Sequence, residues 1–576
     1  MLHVAAEAIQ SNYGVWYWQS QRGDIVFDAN FDFVVIGSGA GALAAAIAAR
    51  KQGLKTLILE KTDKVGGTSA ISGGAVWIPN NHLMHRAGQG DSRQDALTYI
   101  NAAVGPETPA TSMDLRLAFI DSGPEMVQFL EAEGMQWRVM IPYPEYYSSL
   151  PKGDVKGRSL EVDSFDMRAL GPWEQRVRGA QGMPGLVLYN TEARDFLMIR
   201  RTIRGFYTAG KVGLRSFVQK IIGRHTAAVG QSLIGQLLKI TLDRGVQIWP
   251  SSPVLELIVE GGKVVGVVAE RNGRRVRIAA NHGVLIASGG FSRNTSMRQE
   301  FQQGPVDLSW SLVPEGADGD FYQWVTELGA ATAQMDLAWW MPTMIDDKGV
   351  TRFNIWERSH PHSIVVDSTA QRFVSESTGY LEFGAAMEER NKTVPAVPSW
   401  LIIDSQHRRS YPFAYMPPGV TPQAAVDGGF LIRADTVEKL ATKIGLDPGA
   451  LRTTVDRFNG FATTGIDEDF NRGYSAFERH YSDPRQKPNP TLGAIESAPF
   501  YAIKIGLGDL GTKGGAITDS DGRVLREDGT TIPGLYAVGN ATASMLGGSY
   551  PAAGATIGAA MVFGYRAALA AANSTA

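Results

Sequence analysis

At 576 residues, with 44% hydrophobic and 20% charged residues, the chain is too long for one hydrophobic core and too apolar for a disordered one, so at least two folded domains are expected. Cysteine is absent, which excludes disulfides, thiolate nucleophiles, cysteine zinc sites and iron–sulfur clusters held by this chain. The net charge of −3 gives no overall basic field for nucleic acid, and the sequence offers neither an uncharged apolar run of about 18 residues nor a signal-like start. A cytoplasmic protein without a membrane span is expected, with residues 1–30 as an N-terminal extension.

Residues 31–61, FDFVVIGSGAGALAAAIAARKQGLKTLILEK, order a buried strand, a Gly-rich turn, an Ala-rich helix and a second strand ending in an acid, which is one βαβ unit. Gly37 and Gly39 let the turn close and let a pyrophosphate approach Ser38 and the helix start at Ala40, Gly41 and Ala42. Ala42 takes the place of a third glycine. Glu60 ends the second strand where an acid accepts hydrogen bonds from a ribose, and Lys61 follows it. Next comes KVGGTSAISGGAVWIP at 64–79, where Gly67, Thr68, Ser69, Ser72, Gly73 and Gly74 supply more donors along an extended path. That second loop favours FAD over NAD. It contains no histidine, so non-covalent FAD is expected.

Residues 165–230 interleave FLMI, GFY and FVQKII with many Arg and Lys against few acids. This reads either as an element lying in an anionic membrane interface or as a solvated helical hairpin or oligomer contact. The aromatic stretch 15–18 could join either surface. Residues 254–291 read as a β-meander returning to a buried strand at 283–288, with Val254, Ser288 and Gly289 expected beside FAD. A helix is expected at about 318–328. Residues 341–505 then read as an α+β insertion, the expected substrate and catalytic domain. The FAD domain resumes over 506–576 with a hairpin, a strand at 534–538 and a long helix, placing Gly539, Asn540, Ala555, Thr556 and Ile557 near the cofactor. The fold class is therefore α/β, a discontinuous Rossmann-like FAD-binding domain (31–340 and 506–576) carrying an inserted α+β domain. No metal site and no internal repeat are expected.

These segments resemble the fumarate reductase-like flavoproteins. LGTKGG at 510–515 and GLYAVGNATASMLGGSYPAAGATIGAAMVFGY at 534–565 further resemble the 3-ketosteroid Δ1-dehydrogenase branch. The resemblance covers most of 32–565. It implies oxidation of a 4-en-3-one steroid to the 1,4-dien-3-one, with hydride passing from carbon 1 to flavin N5 and a proton from carbon 2 to a tyrosine. An external electron acceptor, a quinone or a carrier protein, is implied too.

By that resemblance Tyr550 and the Gly554 amide donate to the 3-keto oxygen, beside Pro551, and Tyr380 within 362–384 is the base. A free phenol ionises near 10, so the base needs a donor to favour its phenolate. Tyr146 is the candidate, although Tyr143 and Tyr147 crowd the same IPYPEYYSSLP loop and any of the three fits. Tyr143 and Trp356 are candidate walls for the steroid rings. The HPH at 360–362 is the nearest match to the histidines that hold a dicarboxylate in fumarate enzymes, and structural histidines are the commoner reading. Asn540 stands where the wider superfamily carries an acid. The alternatives are a 3-ketosteroid 4(5α)-dehydrogenase, a flavin enoate reductase or, in another class, a non-enzymatic flavin or lipid binder.

Overall fold

The computed structural model describes residues 25–179, 185–302 and 304–574. The aromatic stretch 15–18 and most of the expected N-terminal extension lie outside these residues. Strand β1 (Ala29–Ile36) opens two residues inside that extension. Its Phe33, Val34 and Val35 are fully buried, as expected of a parallel strand covered on both faces. Helix α1 (Ala40–Lys51) and strand β2 (Thr56–Leu59), parallel to β1, complete the βαβ unit.

The 165–230 stretch is a closed excursion. Phe165–Asp166 and Thr226–Ala227 pair antiparallel at its base, and helices α2 (Asn190–Leu197) and α3 (Ile203–Ile221) stand between them. Its cations are less free than the sequence suggests, because acids dispersed along it meet them in space. Arg168 pairs with Asp166, Arg204 with Asp195, and Lys211 and Arg215 with Glu192. One face of α3 is apolar and uncovered, with Ile203, Phe206, Tyr207, Leu214, Phe217 and Ile221 each 61–90% exposed at helical spacing. Helix α4 (Val229–Asp243) leads to β3 (Gln247–Trp249), parallel to β2. The meander follows as β4 (Val254–Glu260), β5 (Lys263–Arg271) and β6 (Arg274–Ile286), and β6 also lies parallel to β1.

The inserted domain centres on a second, six-stranded sheet. Its strands include β7 (Ala338–Ile345), β8 (Ser363–Val366), β9 (Ser399–Ile403) and β10 (Phe500–Thr512), and helix α5 (Tyr380–Asn391) precedes β9. The expected boundaries at 340/341 and 505/506 need correction, for each falls inside a strand. Trp340 of β7 pairs with Asp509 of β10. Both strands are buried along most of their length, so hydropathy marks no break where the chain changes domain.

The chain then returns through β11 (Arg523–Leu525), β12 (Thr531–Ala537) and helix α6 (Ala555–Asn573). The main sheet runs β11-β12-β6-β1-β2-β3, with β5 and β4 continuing from β6. Helix α6 packs against α1 so closely that a Cβ on Gly564 would lie 2.4 Å from the Gly41 carbonyl oxygen. A methyl there costs about 1–3 kcal/mol through overpacking. Strands β1, β2, β6 and β12 all run parallel, and the crevice outside their carboxyl ends is where such a sheet receives a ligand.

Candidate active site

A cavity of about 740 Å³ occupies that crevice and reaches into the inserted domain. At one arm it is lined by Gly37, Ser38, Gly39, Ala40, Gly41, Ala42, Glu60, Lys61, Gly67, Thr68, Ser69, Ser72, Gly73, Gly74, Val254, Ser288 and Gly289. Gly37 has φ +104°, and a Cβ on it would sit 2.4 Å from the Ala287 carbonyl oxygen. Only glycine fits this turn, which leaves the α1 amides open to an anion. The Glu60 carboxylate is held at both oxygens. Ser38 Oγ donates to it at 2.5 Å, and the Thr62 amide and hydroxyl donate at 2.9 Å. The hydroxyls of Ser288 and Ser292 are buried, line the cavity and have no partner among the described residues. A backbone cradle, an oriented acid and unpaired hydroxyls form the donor and acceptor set that a dinucleotide needs, so these residues fit FAD.

Among the expected cofactor contacts one is tied to acids of this chain and another needs correction. Lys61 lines the cavity, but its ammonium is engaged by Asp318 and Asp320 at 2.7 Å each, a pairing across more than 250 residues that sequence spacing does not reveal. Ala555 is fully buried at the start of α6 and does not line the cavity, whereas Thr556, Ile557, Gly539 and Asn540 do. Asn540 Oδ1 accepts from the Trp339 indole at 3.1 Å.

Tyrosines make the other arm. The Tyr146 hydroxyl donates to the Tyr380 hydroxyl at 3.0 Å. The rings of Tyr146, Tyr380 and Tyr550 meet pairwise, edge to face, at centroid distances of 5.2–5.4 Å. All three are buried. Burial pushes the Tyr380 phenol well above its usual range, the neighbouring Tyr550 adds to this, and the Tyr146 hydrogen bond opposes it. Burial also raises Tyr550, against the Tyr380 hydroxyl, Thr556 and the Gly554 amide.

The three loop tyrosines have three different partners. Tyr146 meets Tyr380, Tyr143 receives the Tyr481 hydroxyl at 2.9 Å, and Tyr147 meets Glu382. Burial pushes Tyr143 up to about 12. Trp356 lines the cavity with its ring 6.1 Å from that of Tyr481.

The turn that carries Tyr550 is held from several sides. Gly554 has φ +85°, a Cβ on it would meet Ala75 at 2.3 Å, and its carbonyl accepts from the Trp77 amide at 3.1 Å. Pro551, expected at the substrate, does not line the cavity. Its carbonyl is an anchor for the Tyr99 hydroxyl at 2.7 Å and the Tyr146 amide at 2.9 Å, contacts whose partners lie far back in the chain.

The histidines of 360–362 do not line this cavity. His360 is fully buried and stacked on Tyr411 at 4.3 Å, and burial takes its pKa down to about 3. His362 bonds the Ala494 carbonyl at 2.7 Å. Both are structural.

Other wall residues carry no sequence signature. Leu186, Leu188 and Tyr189 reach the cavity from the 165–230 excursion, and Met341 and Tyr481 from the inserted domain. An isolated apolar or aromatic residue does not announce a pocket.

The model of a FAD binding domain matches residues 32–557. The chain is 39% identical to the 3-oxosteroid 1-dehydrogenase of Mycolicibacterium smegmatis, over 94% of this chain and 96% of that protein. It is 40% identical to the enzyme of the same name from Mycobacterium tuberculosis, over 94% and 98%. A crystal structure of 3-ketosteroid Δ1-dehydrogenase from Sterolibacterium denitrificans, in complex with 1,4-androstadiene-3,17-dione, superposes with a TM-score of 0.89 at 38% identity, covering 95% of this chain and 100% of that one. With the glycine cradle and the tyrosine cluster in one cavity, the chain belongs to the 3-oxosteroid 1-dehydrogenase family of FAD-dependent oxidoreductases.

Proposed function

We propose that Tyr380, Tyr550 and the Gly554 amide divide the work of FAD-dependent 1,2-dehydrogenation of a 3-ketosteroid, 4-en-3-one to 1,4-dien-3-one. Removing the carbon 2 proton leaves an electron pair that must reach the 3-keto oxygen, so the reaction needs a base on one side and donors on the other. Tyr380 takes the proton, and the Tyr146 donor favours its phenolate against burial. Tyr550 and the Gly554 amide donate to the oxygen. FAD, when bound, supplies the two-electron acceptor that takes the hydride from carbon 1. Tyr143 and Trp356 line the steroid's side of the cavity, and an external acceptor reoxidises the cofactor.

The observation that carries this reading is the Tyr146–Tyr380 hydrogen bond beside Tyr550, in the same cavity as the cofactor cradle. Incubation with a 4-en-3-one steroid and an artificial acceptor tests it. A product with a new 1,2 double bond supports the reading, and one lacking it favours the 4(5α) alternative or an enoate reductase.

The 165–230 excursion supports a second, separate statement, that the protein sits peripherally on the cytoplasmic membrane. The excursion both exposes the apolar face of α3 and lines the cavity through Leu186, Leu188 and Tyr189. A steroid dissolved in lipid then enters from the bilayer. Co-sedimentation with anionic liposomes tests this, and full recovery of the protein in the supernatant overturns it.

A further inference from the structure

Two side chains outside the cavity, one of them held by a third, converge on the peptide bond just before Tyr550. Lys513 Nζ donates to the Ser549 carbonyl at 2.8 Å and to the Gly547 carbonyl at 2.9 Å. The N–H of the same Ser549–Tyr550 peptide donates to the Tyr147 hydroxyl at 2.9 Å, and that hydroxyl is held by Glu382. One peptide plane is thus gripped at its oxygen and at its nitrogen. The plane sets the direction in which the Tyr550 side chain leaves the backbone, because only the rotations φ and χ1 remain between them.

Each grip also reaches the tyrosine's surroundings. Lys513 lies 4.0 Å over the Trp339 ring, and that ring packs 5.0 Å from the ring of Tyr550. Glu382 stands two residues after Tyr380 in the first turn of α5, so the chain Glu382–Tyr147–Tyr550 ties the helix of the base to the turn of the donor. Burial pushes Lys513 down to about 7, against Glu382; a neutral amine keeps two N–H donors, enough for both carbonyls. None of Lys513, Tyr147 and Glu382 lines the cavity.

We propose that Lys513 and Tyr147 are positioning residues, which by holding both ends of the Ser549–Tyr550 peptide keep the Tyr550 hydroxyl where it meets the 3-keto oxygen. This rests on the donor role of Tyr550 given above. A donor displaced by about 1 Å loses on the order of 10²-fold in rate, so a grip that never touches substrate still registers in turnover.

The test uses the FAD-loaded full chain with Tyr147→Phe, Lys513→Met and Tyr550→Phe, singly and with each of the first two combined with the third. Flavin content and melting temperature are recorded. Spectral titration then gives the Kd for a 1,4-dien-3-one steroid and for its analogue lacking the 3-keto oxygen. Tyr147→Phe removes a single oxygen, so it carries the test if Lys513→Met fails to fold.

The expected result is retained flavin, roughly tenfold weaker binding of the 3-keto steroid with the analogue unchanged, and a fall in kcat of about 10–10² fold. In the Tyr550→Phe background the same changes are expected to add less than about twofold, the non-additivity of residues acting through one group. Equal weakening for both steroids, or full additivity with Tyr550→Phe, overturns the positioning role. If Tyr550→Phe itself leaves the preference for the 3-keto steroid intact, the donor role of Tyr550 is what fails.

Discussion

Around residues 37–42, 66–74 and 288–289 the cavity wall is largely backbone, whereas around Tyr143, Tyr146, Tyr380 and Tyr550 it is side chain. The first arm is set by local conformation. Gly37 turns at φ +104°, a conformation that glycine itself makes accessible, so the turn is written within a few residues even though the Ala287 carbonyl also presses on it from across the sheet. The second arm is assembled from three segments more than 150 positions apart, and its hydroxyls are placed by packing between two domains. A change in the backbone arm should therefore act on cofactor retention, and a change in the tyrosine arm on turnover with the cofactor in place.

The sharpest way to break this division is Tyr380→Phe or Tyr550→Phe. Loss of a catalytic base or of an oxyanion donor costs about 10²–10⁴ fold, so kcat should fall by that order while the yellow flavin stays bound at wild-type stoichiometry. Loss of flavin with the hydroxyl would merge the two arms into one.

Gly37→Ala is the converse. A Cβ 2.4 Å from the Ala287 oxygen at φ +104° should cost about 2 kcal/mol or more. It should appear as sub-stoichiometric FAD in the purified protein, with residual kcat per bound flavin near normal.

Tyr146→Phe should be milder, about tenfold in kcat at neutral pH. It removes the hydrogen bond that opposes the burial-driven rise of Tyr380, so the ionisation of the base should move to higher pH in the pH–rate profile. A profile that stays in place would separate Tyr146 from the base.

The smallest effect on chemistry is expected at α3. Replacing Phe206, Leu214 and Phe217 together by Ser should leave kcat on a dissolved short-chain steroid within about twofold, these side chains being largely exposed. The same replacement should abolish liposome co-sedimentation.

How much of this was legible in the sequence follows from the same contrast. The βαβ unit, the second small-residue loop and the late return of the FAD domain could be read because strand period, glycine turns and helix starts are local signals. Tyr146, Tyr380 and Tyr550 were reached only through resemblance to a family, since nothing in their own neighbourhoods distinguishes them from core aromatics. Lys513 and Trp339 carry no such signal either, although Lys513 lies within LGTKGG, and Tyr147 is legible only as one of three candidates to assist the base. The engagement of Lys61 by Asp318 and Asp320 was invisible because its partners lie across the domain. The boundaries at 340 and 505 failed because buried strands run through them.

Anaerobic rapid mixing of the FAD-loaded protein with a 4-en-3-one steroid tests the central claim most directly. Wild-type protein should bleach the oxidised flavin band in a single turnover and release a 1,4-dien-3-one. Tyr380→Phe, carrying the same amount of flavin and binding the same steroid, should bleach at least about 10² fold more slowly. Bleaching of Tyr380→Phe at the wild-type rate would contradict the assignment of proton chemistry to the tyrosine arm.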